Sequence, residues 1–233
     1  MLRLAPPAAV LLDVGDTLLV EERFDLEAGI AAAVGQSATV PALANAFRAD
    51  LALNHRCHHE LSLAAWLQQH VPALATESVD SIEDRVWPAV VSLAPAPGAL
   101  AVVTRLASDG VRMAAISNAA FSSHCLSREL ERRRFGSYLA FVISSADVGR
   151  RKPHPEIFRQ ALGRLGVDAS QVWFIGDTLA EDVAGAAAIG LECFLLAATA
   201  PLDELAKRCR IIANWSEFSA VYASAAKRPS HAS

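Results

Sequence analysis

An apolar stretch, AAVLLDVGDT (8–17), breaks off at Asp13, and a second one, VWFIGDT (172–178), breaks off at Asp177. Short runs of β-branched and aromatic residues that stop at a polar turn are typical of strands buried on both faces of a parallel sheet. Ligands bind at the carboxyl ends of such strands. Two carboxylates that meet at that edge repel each other unless a cation lies between them. The two endings therefore predict a parallel sheet with a hard divalent metal at its edge.

The composition indicates a compact protein with a large core. The chain has 233 residues, of which 53% are hydrophobic and 20% charged, and its mean hydropathy is +0.28. We expect one domain with an insertion. The net charge is −4, the pI is near 6.0, and the basic residues are scattered, so the sequence offers no electrostatic footprint for DNA or RNA.

Two further features bear on location and partners. No stretch reaches the roughly 18 uninterrupted apolar residues of a membrane span, so we expect no membrane partner. The four cysteines are far apart, which predicts reduced thiols in a cytoplasmic protein: Cys57, Cys125, Cys193 and Cys209. The sequence leaves monomer and homodimer open.

After the first strand, every periodic segment from about 25 to 93 has helical spacing. Apolar residues recur every three or four positions, which predicts four helices, around 26–34, 43–51, 63–71 and from 79 onward. Gly35 ends the first of these helices, Pro41 begins the second, and Pro88 is expected to cut the fourth. This helical block is an insertion after the first strand.

From residue 96 the chain returns to alternating strands and helices. Strands are predicted at 111–116, 141–143, 172–177 and 193–196, and helices at 100–106, 126–130, 155–165 and 181–189. Such alternation predicts an α/β fold, with right-handed crossovers and helices on both faces of a parallel sheet. The core is therefore assigned to residues 1–20 and 96–233, and the helical insertion to 21–95.

Four short motifs follow one another at strand ends or in the next turn: DVGDT (13–17), SN (117–118), KP (152–153) and GDTLAED (176–182). In this order and spacing they resemble the haloacid dehalogenase superfamily, a large group of phosphohydrolases and their relatives. The resemblance covers the whole chain, because the insertion lies where that superfamily carries a helical cap. It implies a Rossmann-like core with an α-helical cap domain.

The resemblance also implies roles for individual residues. Asp13 takes the place of the nucleophile, and a carboxylate that attacks phosphorus divides one difficult displacement into two easier ones. Mg²⁺, which prefers oxygen ligands, is expected at Asp13, the Gly15 carbonyl, Asp177 and Asp182. Phosphate is expected at Ser117, the Asn118 backbone N–H and Lys152, with Lys152 and Ser117 also in the catalytic set. The chain is thus predicted to be a Mg²⁺-dependent phosphohydrolase of a small phosphorylated metabolite.

The sequence departs from the family pattern at one position. Most phosphatases of the superfamily carry a second Asp two residues after the nucleophile, which protonates the leaving oxygen. Here Gly15 occupies that position and Asp16 follows it, either as the general acid or as a turn cap. This departure leaves one alternative open, namely a regulatory protein that binds phosphate and metal with little catalytic turnover. A dehalogenase attacking carbon is the other alternative, but it typically has Ser-Asn where this chain has Gly176 and Asp177.

A histidine cluster in the insertion, His55, His58 and His59, allows three interpretations. On a helix, His55 and His59 would share a face, as zinc ligands do, although no third ligand is evident. The cluster can also be a solvated helix end. In the third interpretation one of these side chains faces the active site and selects the substrate.

Overall fold

The computed structural model describes residues 4–199 and 204–226. Residues 1–3, 200–203 and 227–233, which the sequence assigns to the core, lie outside this description. The described strands are β1 Ala9–Leu12, β2 Leu19–Phe24, β3 Val91–Pro95, β4 Arg112–Ser117, β5 Val142–Ser144, β6 Val172–Gly176, β7 Glu192–Leu196 and β8 Arg210–Ile212. Six of them form one sheet in the order β5-β4-β1-β6-β7-β8, and every neighbouring pair in it is parallel.

Helices account for most of the remaining described chain. Their bounds are α1 Leu26–Val34, α2 Val40–His55, α3 Leu63–His70, α4 Val79–Val90, α5 Ala99–Ser108, α6 Ser123–Arg132, α7 Ser145–Val148, α8 Pro155–Leu165, α9 Ala184–Ala188 and α10 Trp215–Ala226. A π-helical turn, Leu179–Val183, leads into α9 where the sequence predicts one α-helix. Among the described helices, none combines the length and apolar character that crossing a bilayer requires.

The central strand shows why the sheet is covered on both faces. β1 is buried along its whole length between β4 and β6. Val10 belongs to an apolar cluster with residues of α5 and α10, whereas Leu11 belongs to a second cluster with residues of α8. Successive side chains of a strand point to opposite faces, so each face needs its own layer of helices. The predicted α/β fold is confirmed.

The helical prediction for residues 25–93 is wrong at its end. Val91 begins β3, which pairs with β2 in an antiparallel ribbon and ends at the expected boundary 95/96. β2 crosses the other expected boundary, at 20/21. Most of β2 is exposed, so its residues lack the apolar alternation that marks a strand in sequence. The ribbon carries the chain into and out of the helical block α1–α4.

Pro88 does not end the fourth helix as predicted but lies inside α4. Val90, two residues later, is fully buried, and its carbonyl accepts a hydrogen bond of 2.6 Å from the backbone N–H of Asp25. Its side chain also packs so tightly against Gly29 of α1 that a Cβ there would lie 2.0 Å from it. These tertiary contacts hold the last residues of α4 in place beyond the proline.

Candidate active site

The predicted site residues meet at the carboxyl edge of the sheet. Ser117 is the last residue of β4, Asp13 follows β1, and Asp177 follows β6, and these three strands are neighbours. They surround a polar cleft of about 190 Å³. It is lined by Asp13, Gly15, Asp16, Ser117, Asn118, Lys152, Asp177, Thr178, Glu181 and Asp182. Every residue that the sequence predicts for the site therefore lines one cleft.

Lys152 bridges two aspartates inside this cleft. Its Nζ forms ion pairs with Asp13 and, at 2.6 Å, with Oδ1 of Asp182. All three side chains are buried. Burial by itself lowers the pKa of Lys152, but the two carboxylates more than offset this and hold it above its ordinary value. The ammonium group therefore stays charged in the buried site.

A third carboxylate completes an acidic cluster beside this lysine. One oxygen each of Asp13, Asp177 and Asp182 lie within 4.8 Å of one another. Burial raises the pKa of Asp13 to about 7, with Lys152 opposing and the other two aspartates adding to the rise. Burial and then Asp182 raise the pKa of Asp177 to about 6. Three carboxylates beside a single lysine leave excess negative charge. Carboxylate oxygens are also the ligands that a hard divalent metal such as Mg²⁺ prefers, so the cluster fits such a metal.

Glycine at position 176 allows Asp182 to reach the cleft. A Cβ on Gly176 would lie 2.5 Å from the carboxylate of Asp182, so a larger residue would displace it. Thr178 fixes the same carboxylate, because its N–H donates to Oδ2 of Asp182 at 3.0 Å. The π-helical turn places Asp182 there, and such turns occur often at functional sites.

The side chain of Asn118 holds the loop that carries Lys152. Its Oδ1 accepts from the backbone N–H of Lys152 at 2.7 Å, and its Nδ2 donates to the carbonyl of Lys152 at 3.1 Å and to Glu181 at 2.8 Å. The sequence predicts a phosphate contact through the backbone N–H of Asn118. This positioning role of its side chain was not predicted.

Arg151 connects the helical block to the core, which the sequence did not indicate. It donates to Glu181 at 2.9 Å and to the buried Glu60 at 3.4 Å, and it also contacts His55. Glu60 in turn accepts a hydrogen bond of 2.9 Å from Ser145. This buried glutamate is recognisable only once the chain has folded, because Arg151 and Ser145 lie 91 and 85 residues away in sequence.

The histidine cluster is not arranged as a helical zinc site. α2 ends at His55, His58 has a positive φ of 55°, and His59 forms a β-bridge with Arg150. His55 and His59 therefore do not share a helix face. Nε2 of His55 lies 2.9 Å from Glu60, so His55 belongs to the connection made by Arg151.

A second, larger cavity of about 400 Å³ adjoins the polar cleft. The two share Gly15, Ser117 and Asn118 in their linings. His55 lines the larger cavity, together with apolar side chains from the helical block and from the core. A ligand bound by the aspartates can extend from the cleft into this space.

The chain matches the model of one protein family, haloacid dehalogenase-like hydrolases, over residues 7–190. It is 27% identical over 194 residues to glyceraldehyde 3-phosphate phosphatase of Methanopyrus kandleri, covering 78% of this chain and 81% of that protein. It is 32% identical over 116 residues to ribulose-1,5-bisphosphate 5-phosphatase of Halopiger xanaduensis, covering 49% and 48%. The chain thus spans four fifths of the first relative but about half of the second.

Solved structures share the fold. A haloacid dehalogenase-type phosphatase from Thermococcus onnurineus has a TM-score of 0.64 at 19% identity, with 91% of this chain and 96% of that chain covered. A 2-haloacid dehalogenase from Pseudomonas syringae has a TM-score of 0.64 at 22% identity, with 96% and 99% covered. Because the family model spans most of the chain and relatives named as phosphatases share its sequence, the chain belongs to the haloacid dehalogenase-like hydrolases, as a phosphatase-like hydrolase.

Proposed function

We propose that this protein is a Mg²⁺-dependent phosphomonoesterase that acts on a small phosphorylated metabolite through an aspartyl-phosphate. One observation carries the proposal: the carboxylate of Asp13 lies beside the ammonium of Lys152 and the carboxylates of Asp177 and Asp182 in one buried cleft. The names of the phosphatase relatives support a small phosphorylated substrate.

Asp13, Asp177 and Asp182 would hold the metal, with the Gly15 carbonyl as a further ligand. When bound, Mg²⁺ supplies positive charge that neutralises the phosphate oxygens and the crowded carboxylates. The raised pKa values of Asp13 and Asp177 support this assignment, because burial raises both and the neighbouring carboxylates add to the rise despite Lys152, so a further cation would be stabilised here.

In the first step the Asp13 carboxylate attacks phosphorus. An O–P bond to Asp13 forms while the bond from phosphorus to the ester oxygen breaks, and the organic group leaves with that oxygen. In the second step water attacks the same phosphorus and releases inorganic phosphate and the free carboxylate. Lys152 offsets the negative charge of the phosphoryl group in both steps, and the Ser117 hydroxyl and the Asn118 N–H bind its oxygens.

Asp16 is the candidate for protonating the leaving oxygen. It lines the polar cleft, is exposed, and adopts a positive φ of 49°. Asp16 therefore lies in the turn that follows Gly15. We assign it as the general acid of the esterase, with a turn cap as the alternative.

Two other functions are weaker. A dehalogenase needs no metal site, whereas this cleft concentrates three aspartates. A regulatory protein without turnover would need no proton donor, and Gly15, which offers none, is the observation that favours this alternative.

We also propose that residues 21–95 act as a cap over a core of residues 1–20 and 96–233, since side chains of α2–α4 line the cavity next to the cleft.

The test is hydrolysis of p-nitrophenyl phosphate, with Mg²⁺ and with a strong chelator. We expect activity only with Mg²⁺, and its loss in Asp13→Asn, because the amide is a poor nucleophile. Asp168→Asn is the matched control, since Asp168 is exposed and its side chain makes no capping hydrogen bond. Activity in chelator, or wild-type turnover by Asp13→Asn, would contradict the proposal.

A further inference from the structure

The cavity next to the polar cleft is continuous with the predicted phosphate site. Ser117 and Asn118 line both spaces, so a phosphate bound by these residues lies at the entrance of the cavity of about 400 Å³. That volume is typical of small-molecule sites. The organic part of a bound phosphate ester must extend out of the polar cleft. The cavity adjoins the cleft at the residues predicted to bind phosphate.

The wall of this cavity is mainly apolar. Large apolar side chains from α2, α3, α4, α6 and the segment between β4 and α6 line it, including Phe47, Leu51, Leu63, Trp87, Phe121 and Leu126. Most of them are buried in the protein. Trp87 is fixed by a hydrogen bond of 3.2 Å from its Nε1 to Glu129 and by edge-to-face packing at 4.8 Å on Phe121. The wall is therefore preformed.

The basic side chains on this wall already have protein partners. Arg151 pairs with Glu60 and Glu181, and His55 with Glu60. Arg48 is half-exposed and lies 3.8 Å from Glu27. A second anionic group on the substrate would compete with these pairs. The hydroxyl groups of a polyol that lie against the apolar part of the wall would be buried without partners, which costs free energy.

From these observations we propose that the preferred substrates are phosphate monoesters of apolar groups, a ring or a chain of several carbons, which occupy this cavity. The inference rests on the proposed phosphatase function and narrows its substrate class. It differs from what the names of the relatives suggest, since those names point to triose and pentose phosphates.

The first experiment measures binding without cleavage, using methyl-, butyl- and hexylphosphonate as competitive inhibitors of p-nitrophenyl phosphate hydrolysis in the presence of Mg²⁺. These probes share the same phosphonate group and differ in apolar length, and their P–C bond is not cleaved, so leaving-group chemistry plays no part. Burial of one methylene strengthens binding about fourfold, so butylphosphonate, with three more methylenes, should bind roughly 60-fold more tightly than methylphosphonate.

Two variants on α2 form a matched pair. Leu51 is half-buried and lines the cavity, whereas Leu53 is 59% exposed and is absent from the lining. Leu51→Gln should reduce the gain per methylene while binding of methylphosphonate stays the same. Leu53→Gln should retain the wild-type gain.

The outcomes separate the inference from the function on which it rests. Hydrolysis of p-nitrophenyl phosphate without any dependence of binding on chain length would overturn the inference and leave the phosphatase intact. Without hydrolysis, the same probes are measured by direct calorimetric titration. A dependence on chain length there would support the cavity assignment and contradict catalysis, whereas no phosphonate binding would overturn both.

Discussion

The carboxamide of Asn118 hydrogen-bonds both backbone groups of Lys152, accepting from its N–H at 2.7 Å and donating to its carbonyl at 3.1 Å. Asn118 directly follows β4, a rigid strand of the sheet, whereas Lys152 lies in the loop before α8. These two hydrogen bonds therefore fix the position of the loop relative to the strand. Lys152 reaches Asp13 and Asp182 from a backbone that is held at both polar atoms.

Asn118→Ala should loosen this loop and slow catalysis. It removes the hydrogen bonds to Lys152 and leaves buried backbone groups without partners, which we expect to cost about 1–3 kcal/mol of unfolding free energy. The kcat for p-nitrophenyl phosphate should fall by at least about tenfold, because a misplaced charge stabilises the transition state less. Asn214→Ala is the control: Asn214 accepts from the N–H of Glu217 at 3.0 Å, so its loss should cost stability but leave kcat unchanged.

Removal of the buried cation should destabilise the metal-free protein, and more so at higher pH. Lys152→Met leaves Asp13 and Asp182 without their partner, which typically costs about 3–5 kcal/mol. Because the pKa of Asp13 is raised to about 7, protonation neutralises Asp13 at the lower pH, and the loss should be smaller at pH 5.5 than at pH 8 in urea unfolding with chelator. Lys207→Met, in an exposed pair with Glu204, should show little change at either pH.

The same variant tests the catalytic role of Lys152. With Mg²⁺ present, the loss of its charge should reduce kcat/KM by roughly 10²–10³-fold. A wild-type kcat/KM in a folded Lys152→Met protein would show that this lysine supports the loop without acting on the phosphoryl group.

The centre of the sheet could be predicted because its strands are buried on both faces and therefore continuously apolar. The aspartates that end them follow from the same pattern, since parallel strands place their carboxyl ends at one edge. Predicted strands at 111–116 and 141–143 begin within one residue of β4 and β5. Here the local sequence and the burial in the fold agree.

What the sequence did not indicate depends on contacts between distant residues. The strands β2 and β3 pair across 67 residues at Phe24 and Val91. The hydrogen bonds of Asn118 to Lys152 span 34 residues, and that of Arg151 to Glu60 spans 91. No local periodicity marks such partners. β8 was not predicted, because a three-residue edge strand carries little pattern. The helix α10 was also missed, although its buried residues Trp215, Phe218, Tyr222 and Ala225 have helical spacing.

Mg²⁺ affinity should rise with pH across the range in which the cluster loses protons. The folded pKa values, about 7 for Asp13 and about 6 for Asp177, lie above the ordinary value of 3.8, so the metal-free folded state holds extra protons in this window. The stability of the metal-free protein therefore falls as the pH rises through this window. Mg²⁺ binds more tightly at the upper end, because fewer protons compete with it for the carboxylates. The increase in Tm caused by Mg²⁺ should be larger at pH 8 than at pH 5.5, and an equal increase at both would contradict carboxylate ligation by this cluster.

The last prediction concerns the proton for the leaving oxygen. A Cβ on Gly15 would meet no atom within 4 Å, so Gly15→Asp has room for its Cβ and introduces the carboxylate expected from the family pattern. If Asp16 acts as the acid, Asp16→Asn should slow an alkyl phosphate by roughly 10²-fold or more and an aryl phosphate much less, because only the poor leaving group requires a proton. Asn tolerates the positive φ of this position, so the variant should keep the wild-type backbone conformation.

Gly15→Asp tests the same role by rescue. In the Asp16→Asn background, it should restore part of the activity on the alkyl phosphate. If Asp16→Asn leaves both rates unchanged, Asp16 is a turn residue, and a rise of the alkyl rate in Gly15→Asp alone would then show that the wild-type enzyme works without a general acid.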